Sequence, residues 1–444
     1  MKFNKKLISL FMGTTLTSLP MVIVSCGKQE RQEINNFVPL NERITEVVKN
    51  PNLSYEALKE NAGIKIALIN GSGGTLDKSF NQSSWEALIK LVEDTRKDDK
   101  NQIEITDINP GTTELTEVYN NALESGQKVW ILSGWNHGSK INAYLENPSN
   151  VDKLIKNNVT IIALDFTVGL KNKTKFKNLF EVNFKIQEAA YIVGNALANA
   201  FGNVYPGNNN TDNRKFGAYG GGNGPDVVSF ITGYLKGVQK YNSRSETTNK
   251  INHIPNVALN AGYSVEDTNM SGVTLSLVSK SPKFVYPVVA GGVSLMLDEI
   301  RKRNMDTYVV GVDVDQSKSY PAHAGRFATS VQKNIAQAIY DVINEFVFGI
   351  KNKNLQSRIV ESTTGAKSLL GGFAEGWVGY AKSTVSNEKL KDAINRELEK
   401  SKNKFIALSE DEKRFINAFT DYDNVEYNEN LDELVNKLVE KINS

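Results

Sequence analysis

Between Ile64 and Tyr380 the chain alternates short apolar runs with longer stretches that repeat apolar positions at helical spacing. The short runs are Lys65–Ile69, Ile103–Asp107, Val129–Leu132, Thr160–Leu164, Phe180–Asn183, Lys215–Tyr219, Val257–Leu259, Phe284–Val288, Tyr308–Val312 and Ala328–Val331. Apolar, β-branched runs bounded by turn residues predict buried strands. Ser84–Glu93, Glu188–Phe201, Val227–Tyr241 and Leu295–Arg303 follow such runs and predict helices with one apolar face. Strands that alternate with helices imply parallel sheets joined by right-handed crossovers. So many strands suit two doubly wound α/β lobes better than one sheet.

The flanks lack this rhythm. Residues 384–444 are strongly charged, with helical spacing at Leu390–Leu398 and Leu431–Ile442, and predict a charged helical C-terminal appendage. Residues 27–62 are polar and read as a spacer with a short helix near Leu40–Lys49. Ahead of them, Lys2, Lys5 and Lys6 precede an apolar stretch, Leu7–Val24, that ends Ile23-Val24-Ser25-Cys26. A positive head, an apolar middle and a small residue before the cut describe a secretory signal. Cysteine at the next position is a lipobox. Residues 1–25 are expected to be removed and Cys26 acylated, leaving 26–62 as a lipidated N-terminus and spacer. An uncleaved anchor helix is the alternative, weakened by Pro20 and the polar residues; an incidental cysteine is another. Two acyl chains hold a protein to a bilayer where one is marginal. The expected location is therefore the outer face of the cell membrane.

Composition narrows the partners. Cys26 is the only cysteine in 444 residues, so the body has no disulfides. The formal charge is +2, and losing residues 1–25 leaves 49 basic against 50 acidic residues. With no basic patch, nucleic acid is not an expected partner.

In open α/β sheets ligands sit beyond the carboxyl ends of the strands. There the chain places Asn70–Gln82, Ser133–Gly138, Asp165-Phe166, Gly220–Asp226, Val289–Gly292 and Asp313–Gln316. Glycine, aromatic and carboxylate residues thus gather at one rim. No Gly-Lys-Ser/Thr follows the glycine runs, which excludes a Walker A loop. There is no Gly-x-Ser-x-Gly elbow. His137, His253 and His323 lack metal-ligand spacing. Nothing forms a catalytic constellation, so neither enzyme activity nor a cofactor or metal is expected.

Three segments carry a resemblance: Asp77-Lys78-Ser79-Phe80-Asn81-Gln82, Gly311-Val312-Asp313-Val314-Asp315-Gln316 and Thr329-Ser330-Val331-Gln332-Lys333. Phe184-Lys185 with Glu188, Gly220-Gly221-Gly222, Phe230 to Gly237 and Ala290-Gly291-Gly292 support it. In this order the segments resemble the basic membrane protein family of ABC-transporter substrate-binding lipoproteins, which includes purine nucleoside receptors. The Lys- and Asn-rich composition is similar to that of proteins from AT-rich genomes, such as those of wall-less mollicutes. The resemblance implies a type I periplasmic-binding-protein-like fold: two doubly wound α/β lobes joined by several hinge crossings, with ligand closed between them. On that fold the body is residues 63–383, lobe 1 taking 63–183 and 316–350 and lobe 2 taking 184–315 and 351–383. A monomer is expected.

The resemblance also implies site residues. Phe80 and Asn81 match positions that stack on and hydrogen-bond a base, with Asp77 and Ser79 in the same loop; base stacking contributes ~1–3 kcal/mol. Core packing and helix capping are the alternatives there. Asp313 matches a carboxylate that grips ribose hydroxyls, each charged hydrogen bond being worth ~1.5–3 kcal/mol. Asp315 reads as structural. Lys333 matches a lysine that reaches the ligand or its neighbouring carboxylate, or else is a solvated helix residue. Phe230 covers the base's other face or is buried; Gly291 and Gly292 admit close backbone approach or simply turn. Asp165 contacts ligand or serves hinge or capping duty. Relatives carry a carboxylate in the loop after the third strand, where this chain has Gly134-Trp135-Asn136-His137-Gly138-Ser139. Trp135 can replace a stacking Phe, and Asn136 or His137 the carboxylate; His137 would make binding pH-sensitive.

The expected function is capture of a nucleoside, a purine nucleoside first, and delivery to an ABC permease and ATPase. A pentose or other sugar receptor on the same fold is one alternative. A surface antigen or adhesin without a transport role is another.

Overall fold

The computed structural model describes residues 38–71, 74–98, 100–244 and 248–444. The signal segment, Cys26 and residues 27–37 lie outside them. The strands are β1 (Ile64–Asn70), β2 (Ile103–Ile108), β3 (Val129–Ser133), β4 (Thr160–Leu164), β5 (Leu179–Phe184), β6 (Lys215–Gly220), β7 (Asn252–His253), β8 (Phe284–Val288), β9 (Tyr308–Asp313), β10 (Phe327–Lys333), β11 (Val360–Glu361), β12 (Lys367–Gly371) and β13 (Val378–Tyr380). They form two sheets, ordered β11-β12-β5-β4-β3-β1-β2 and β13-β10-β9-β8-β6-β7. Pairing is parallel except where β11 meets β12 and β13 meets β10. Central strands such as β3 and β8 are buried along their whole length, which is why they read as unbroken apolar runs.

Helices α1 (Phe80–Thr95), α2 (Leu115–Glu124), α3 (Gly138–Glu146) and α4 (Pro148–Lys156) belong to the first sheet. Next come α5 (Ile186–Val204), α6 (Pro225–Asn242), α7 (Thr268–Val278), α8 (Ala290–Lys302) and the short α9 (Gln316–Ser319). α10 (Ile335–Val342) packs back on α1. The α5–α6 pair forms the hub of lobe 2, and its glycines let the two backbones nearly touch. A Cβ on Gly194 would stand 2.2 Å from the Tyr234 carbonyl, and one on Gly237 2.2 Å from that of Tyr191.

The chain crosses between lobes three times: from β5 to α5, from β10 to α10, and from β12 to β13. The crossings are laced together, since Lys185 N donates to Gly371 O (2.8 Å) and Asn334 N to Trp377 O (2.7 Å). Two α/β lobes with several crossings are what the sequence predicted. The lobe boundaries differ. Strand β10, expected in lobe 1, pairs with β9 in lobe 2, and the chain returns to lobe 1 only from α10 onward. Conversely β12, expected in lobe 2, pairs with β5 in lobe 1. The β12–β5 pairing is long-range, and local periodicity does not say at which strand the chain crosses.

Three further expectations change. The run Val257–Leu259 is not a strand; the ladder is β7, ended by Pro255 and by Asn256 at φ +70°. Residues 38–62 are no free spacer. Val38, Ile44, Leu53 and Leu58 are buried, and only Leu40–Glu42 forms a 3-10 turn where a helix to Lys49 was expected. The Glu86 carboxylate on α1 accepts from the backbone N–H groups of Ile44 and Thr45, and Arg43 makes a double bond-pair with Glu93. The C-terminal region is helical as expected, in α11 (Glu388–Ile406), α12 (Glu410–Asn417) and α13 (Leu431–Asn443). It is built into lobe 2: α11 packs on α5 and α13 on α6. Leu390, Ile394, Leu398, Leu434 and Leu438 line its buried stripes.

Candidate functional site

Strand ends from both lobes converge on one cleft. From lobe 1, Asp165 follows β4; from lobe 2, Asp313 ends β9 and Lys333 ends β10. The Lys333 ammonium donates to Asp165 Oδ2 at 2.6 Å, joining the lobes, and lies 5.0 Å from the centre of the Phe230 ring on α6. Asp165 and Asp313 sit at φ +64° and +65°, a left-handed conformation that Asp tolerates better than most residues. Both turn off the strand there, as residues under local strain at functional sites do.

The electrostatics are those of one cation among several carboxylates. Burial pushes the Asp313 carboxyl up to about 6, against the pull of Lys333 and with the help of Asp165, Asp77 and Asp226. Burial likewise pushes Asp165 up, opposed by Lys333. Burial alone would lower Lys333; Asp165, Asp313 and Asp226 together outweigh it and hold the ammonium above its ordinary value. Lys333 therefore stays charged, and acceptor capacity exceeds what one ammonium can satisfy. Carboxylates are acceptors only, so the surplus faces donors such as vicinal hydroxyls. A cavity of ≈ 500 Å³ also touches Asp313 and Lys333, but Ile44, Gln337 and Tyr380 wall it, and Asp165, Phe230 and Trp135 do not, so it is separate from the cleft between them.

The loop after β1 delivers α1 to the cleft. Asp77 accepts from the backbone N–H groups of Ser79, Asn81 and Gln82 at 2.9–3.0 Å. Its carboxylate thus caps the start of α1, and its charge reaches Asp313. The buried Ser79 hydroxyl has no hydrogen-bond partner among the described residues. Phe80 is half-buried at the head of α1. Asn81 is buried and its Oδ1 accepts from Ser133 Oγ at 2.9 Å, tying α1 to the end of β3.

The loop after β3 separates two candidates that are neighbours in sequence. Trp135 is 58% exposed at the cleft mouth, whereas His137 is fully buried. The His137 ring stands between the Tyr119 hydroxyl (2.8 Å) and the Ile69 carbonyl (3.0 Å). The neutral tautomer with its proton on Nε2 satisfies both. Burial lowers its pKa to about 4. His137 is a core residue, and neither replaces a ligand carboxylate nor titrates between pH 5 and 8.

Phe230 is buried and meets the cleft through Lys333. Gly291 and Gly292 open α8, but their crowding comes from lobe 2 itself. A Cβ would meet Val265 at 3.1 Å in the first and the Tyr219 hydroxyl at 2.7 Å in the second. They are packing glycines where close approach to ligand was expected. Asp315 caps α9 through Ser317, as a structural residue. The structure thus brings together Asp165, Phe230, Asp313 and Lys333, with Trp135 at the cleft mouth, while Phe80 and Asn81 stand at the head of α1. It turns His137 into the core and uses Gly291 and Gly292 in lobe 2 packing, while Asp77 caps α1 within electrostatic reach of Asp313.

Two groups were not expected from the sequence. Tyr263 of lobe 2 faces Trp135 across the cleft, ring centres 6.1 Å apart. Asp226, in the first turn of α6, reaches Asp165, Asp313, Lys333 and Tyr263 electrostatically. Asp226 closes the rim loop Gly220–Asp226 but was not singled out as a site residue, and Tyr263 lies in a loop with no periodicity to mark it.

The sequence matches the profile of the Bmp family, described as ABC transporter substrate-binding protein PnrA-like, over residues 64–412. The chain belongs to this family. Among its relatives, Basic membrane protein B of Borrelia garinii subsp. bavariensis is 24% identical over 323 residues, spanning 72% of this chain and 81% of that protein. The ABC transporter nucleoside-binding protein BmpA of Lactococcus lactis subsp. cremoris is 23% identical over 264 residues, spanning 58% and 66%. A solute-binding protein of an ABC transporter system from Aeropyrum pernix K1 shares the fold, with a TM-score of 0.55 at 18% identity over 85% of this chain and 91% of that one. A Conexibacter woesei solute-binding protein gives 0.51 at 13% identity, over 78% and 99%. The architecture is that of a type I periplasmic-binding protein, and the protein is a substrate-binding component of the ABC-transporter class. Among the described residues no helix is long and apolar enough to cross a membrane.

Proposed function

We propose that this protein captures a nucleoside, a purine nucleoside by preference, at the outer face of the cell membrane and delivers it to an ABC permease and ATPase. The observation that carries the reading is Asp313. It is a carboxylate turned into the cleft at φ +65°, in a site where acceptors outnumber the single ammonium of Lys333. Such a group takes two vicinal ribose hydroxyls, while Phe80 and Trp135 from one lobe and Tyr263 from the other offer aromatic surface to a base. A relative named as a nucleoside-binding protein supports the same ligand class. Closure about the three crossings holds the ligand, with Lys333–Asp165 bridging the lobes.

Acylation of Cys26 is the proposed anchor. The N-terminal segment after residue 37 is bound to α1 and α10, so a tether at Cys26 would hold lobe 1 close to the membrane. A pentose would use the same carboxylates and leave the aromatic surfaces unused. Native mass spectrometry of the purified protein tests the reading. A bound species of nucleoside mass is expected; a bound species of free-pentose mass contradicts it.

A further inference from the structure

The mouth of the cleft carries groups that ribose recognition does not use. Asp226 lies four residues before Phe230 on α6. Residues at i and i+4 share one helix face, and the Phe230 ring is turned to Lys333. Asp226 therefore looks into the same cleft, one turn nearer the rim, and it is half-buried there.

Tyr263 stands beside it on a shelf of glycine backbone. Ala261 N donates to Gly220 O (3.1 Å) and Gly262 N to Gly221 O (2.9 Å), so the loop runs against the end of β6. A Cβ on Gly222 would lie 2.5 Å from the Tyr263 hydroxyl, and one on Gly221 3.1 Å from its ring. The absence of side chains at both positions is what lets the tyrosine lie there. Its ring is 52% exposed and meets the 58% exposed Trp135 of the other lobe at an interplanar angle of 47°. Two large aromatics and a carboxylate from three separate segments of the chain thus share the rim.

We propose that Asp226, Tyr263 and Trp135 form an outer subsite that selects a flat ring bearing N–H donors on its edge. The inference rests on the nucleoside reading above and deepens it. An ionised carboxylate only accepts hydrogen bonds. It favours a base edge with a ring N–H beside an amino group, and it is left desolvated and unpaired against an edge with no donor. The aromatic pair supplies stacking to any flat base and does not discriminate between edges. Asp226 is the specificity determinant, and Tyr263 with Trp135 is the platform.

Isothermal titration of the full chain separates these roles with two nucleosides. Guanosine carries a ring N–H and an amino group; purine riboside carries no base N–H. Wild type is expected to bind guanosine at least about ten-fold more tightly, and Asp226→Asn to shrink that ratio to about three-fold or less. Tyr263→Leu is expected to weaken both nucleosides by about five-fold or more while keeping their ratio. An unchanged ratio in Asp226→Asn, or unchanged binding of both nucleosides in Tyr263→Leu, overturns the outer subsite and leaves the nucleoside reading standing. Failure of wild type to bind either nucleoside overturns both.

Discussion

Two of the lysines that lobe 2 buries are Lys333 in the cleft and Lys236 beneath the C-terminal helices, at 5% and 1% exposure. Their environments are opposite. Lys333 meets carboxylates, which hold it charged against the pull of burial. Lys236 meets the carbonyls of Phe415 (2.7 Å) and Ala418 (2.8 Å) and the face of the Phe415 ring, and burial lowers its pKa to about 7. The first lysine belongs to a charged network with acceptors to spare. The second caps the end of α12 and fastens the C-terminal region to α6. Burial alone therefore says little about a lysine's role. What decides it is whether the surrounding acceptors are already satisfied.

The largest effect that separates them is removal of the cleft ammonium. Lys333→Met leaves Asp165 facing burial without its partner, which costs about 3–5 kcal/mol when such a pair is broken. Thermal unfolding should show a large fall in midpoint, and titration calorimetry a loss of nucleoside binding. Lys236→Met should lower stability by about 1–3 kcal/mol, the cost of unpaired buried carbonyls. Hydrogen exchange would rise in α12 while ligand affinity stays within about two-fold.

Asp313 sharpens the contrast, because it works against stability in favour of binding. Its folded pKa lies above the unfolded value of 3.8. The folded state therefore holds the proton longer, and stability falls as pH rises from near 3.8 to about 6. Asp313→Asn should raise stability at pH 7 by about 1–2 kcal/mol, after discounting for partial exposure, while weakening nucleoside binding about ten-fold or more. Wild-type affinity should also weaken as pH drops below about 6, where the carboxylate protonates, and the substitution should abolish that dependence.

The smallest effect concerns pH and Lys236. Its folded pKa of about 7 lies below the ordinary 10.5, so the unfolded chain binds the extra proton between those values. Wild type should gain stability relative to Lys236→Met as pH rises from 7 towards 10. No comparable gain is expected for Lys333 over the same range.

Much of this was legible in the chain. Strands β1, β3 to β6 and β8 to β10 announced themselves as apolar runs because both their faces are largely buried, and the edge strand β2 by its alternation of apolar and polar residues. Helices α5 and α6 did so by period. The lobe assignment of β10 and β12 was not legible: β12 pairs with β5, far earlier in the chain, and β10 stays beside its neighbour β9 where a crossing was expected before it. Asp313 and Lys333 came from motif resemblance, and the structure sets them on one cleft. His137 misled because adjacent loop residues can face opposite ways: Trp135 points out and His137 points into the core. The segment after Val38 misled because its few apolar anchors are irregularly spaced in a polar stretch.

The central claim is that the cleft holds a nucleoside by its ribose at Asp313 and by its base on the aromatic walls. Isothermal titration of wild type and Asp313→Ala with inosine, guanosine and ribose tests it most directly. Micromolar or tighter nucleoside binding, weak or absent ribose binding, and at least about a ten-fold loss in Asp313→Ala are the predicted results. Tight ribose binding with no nucleoside signal would contradict it.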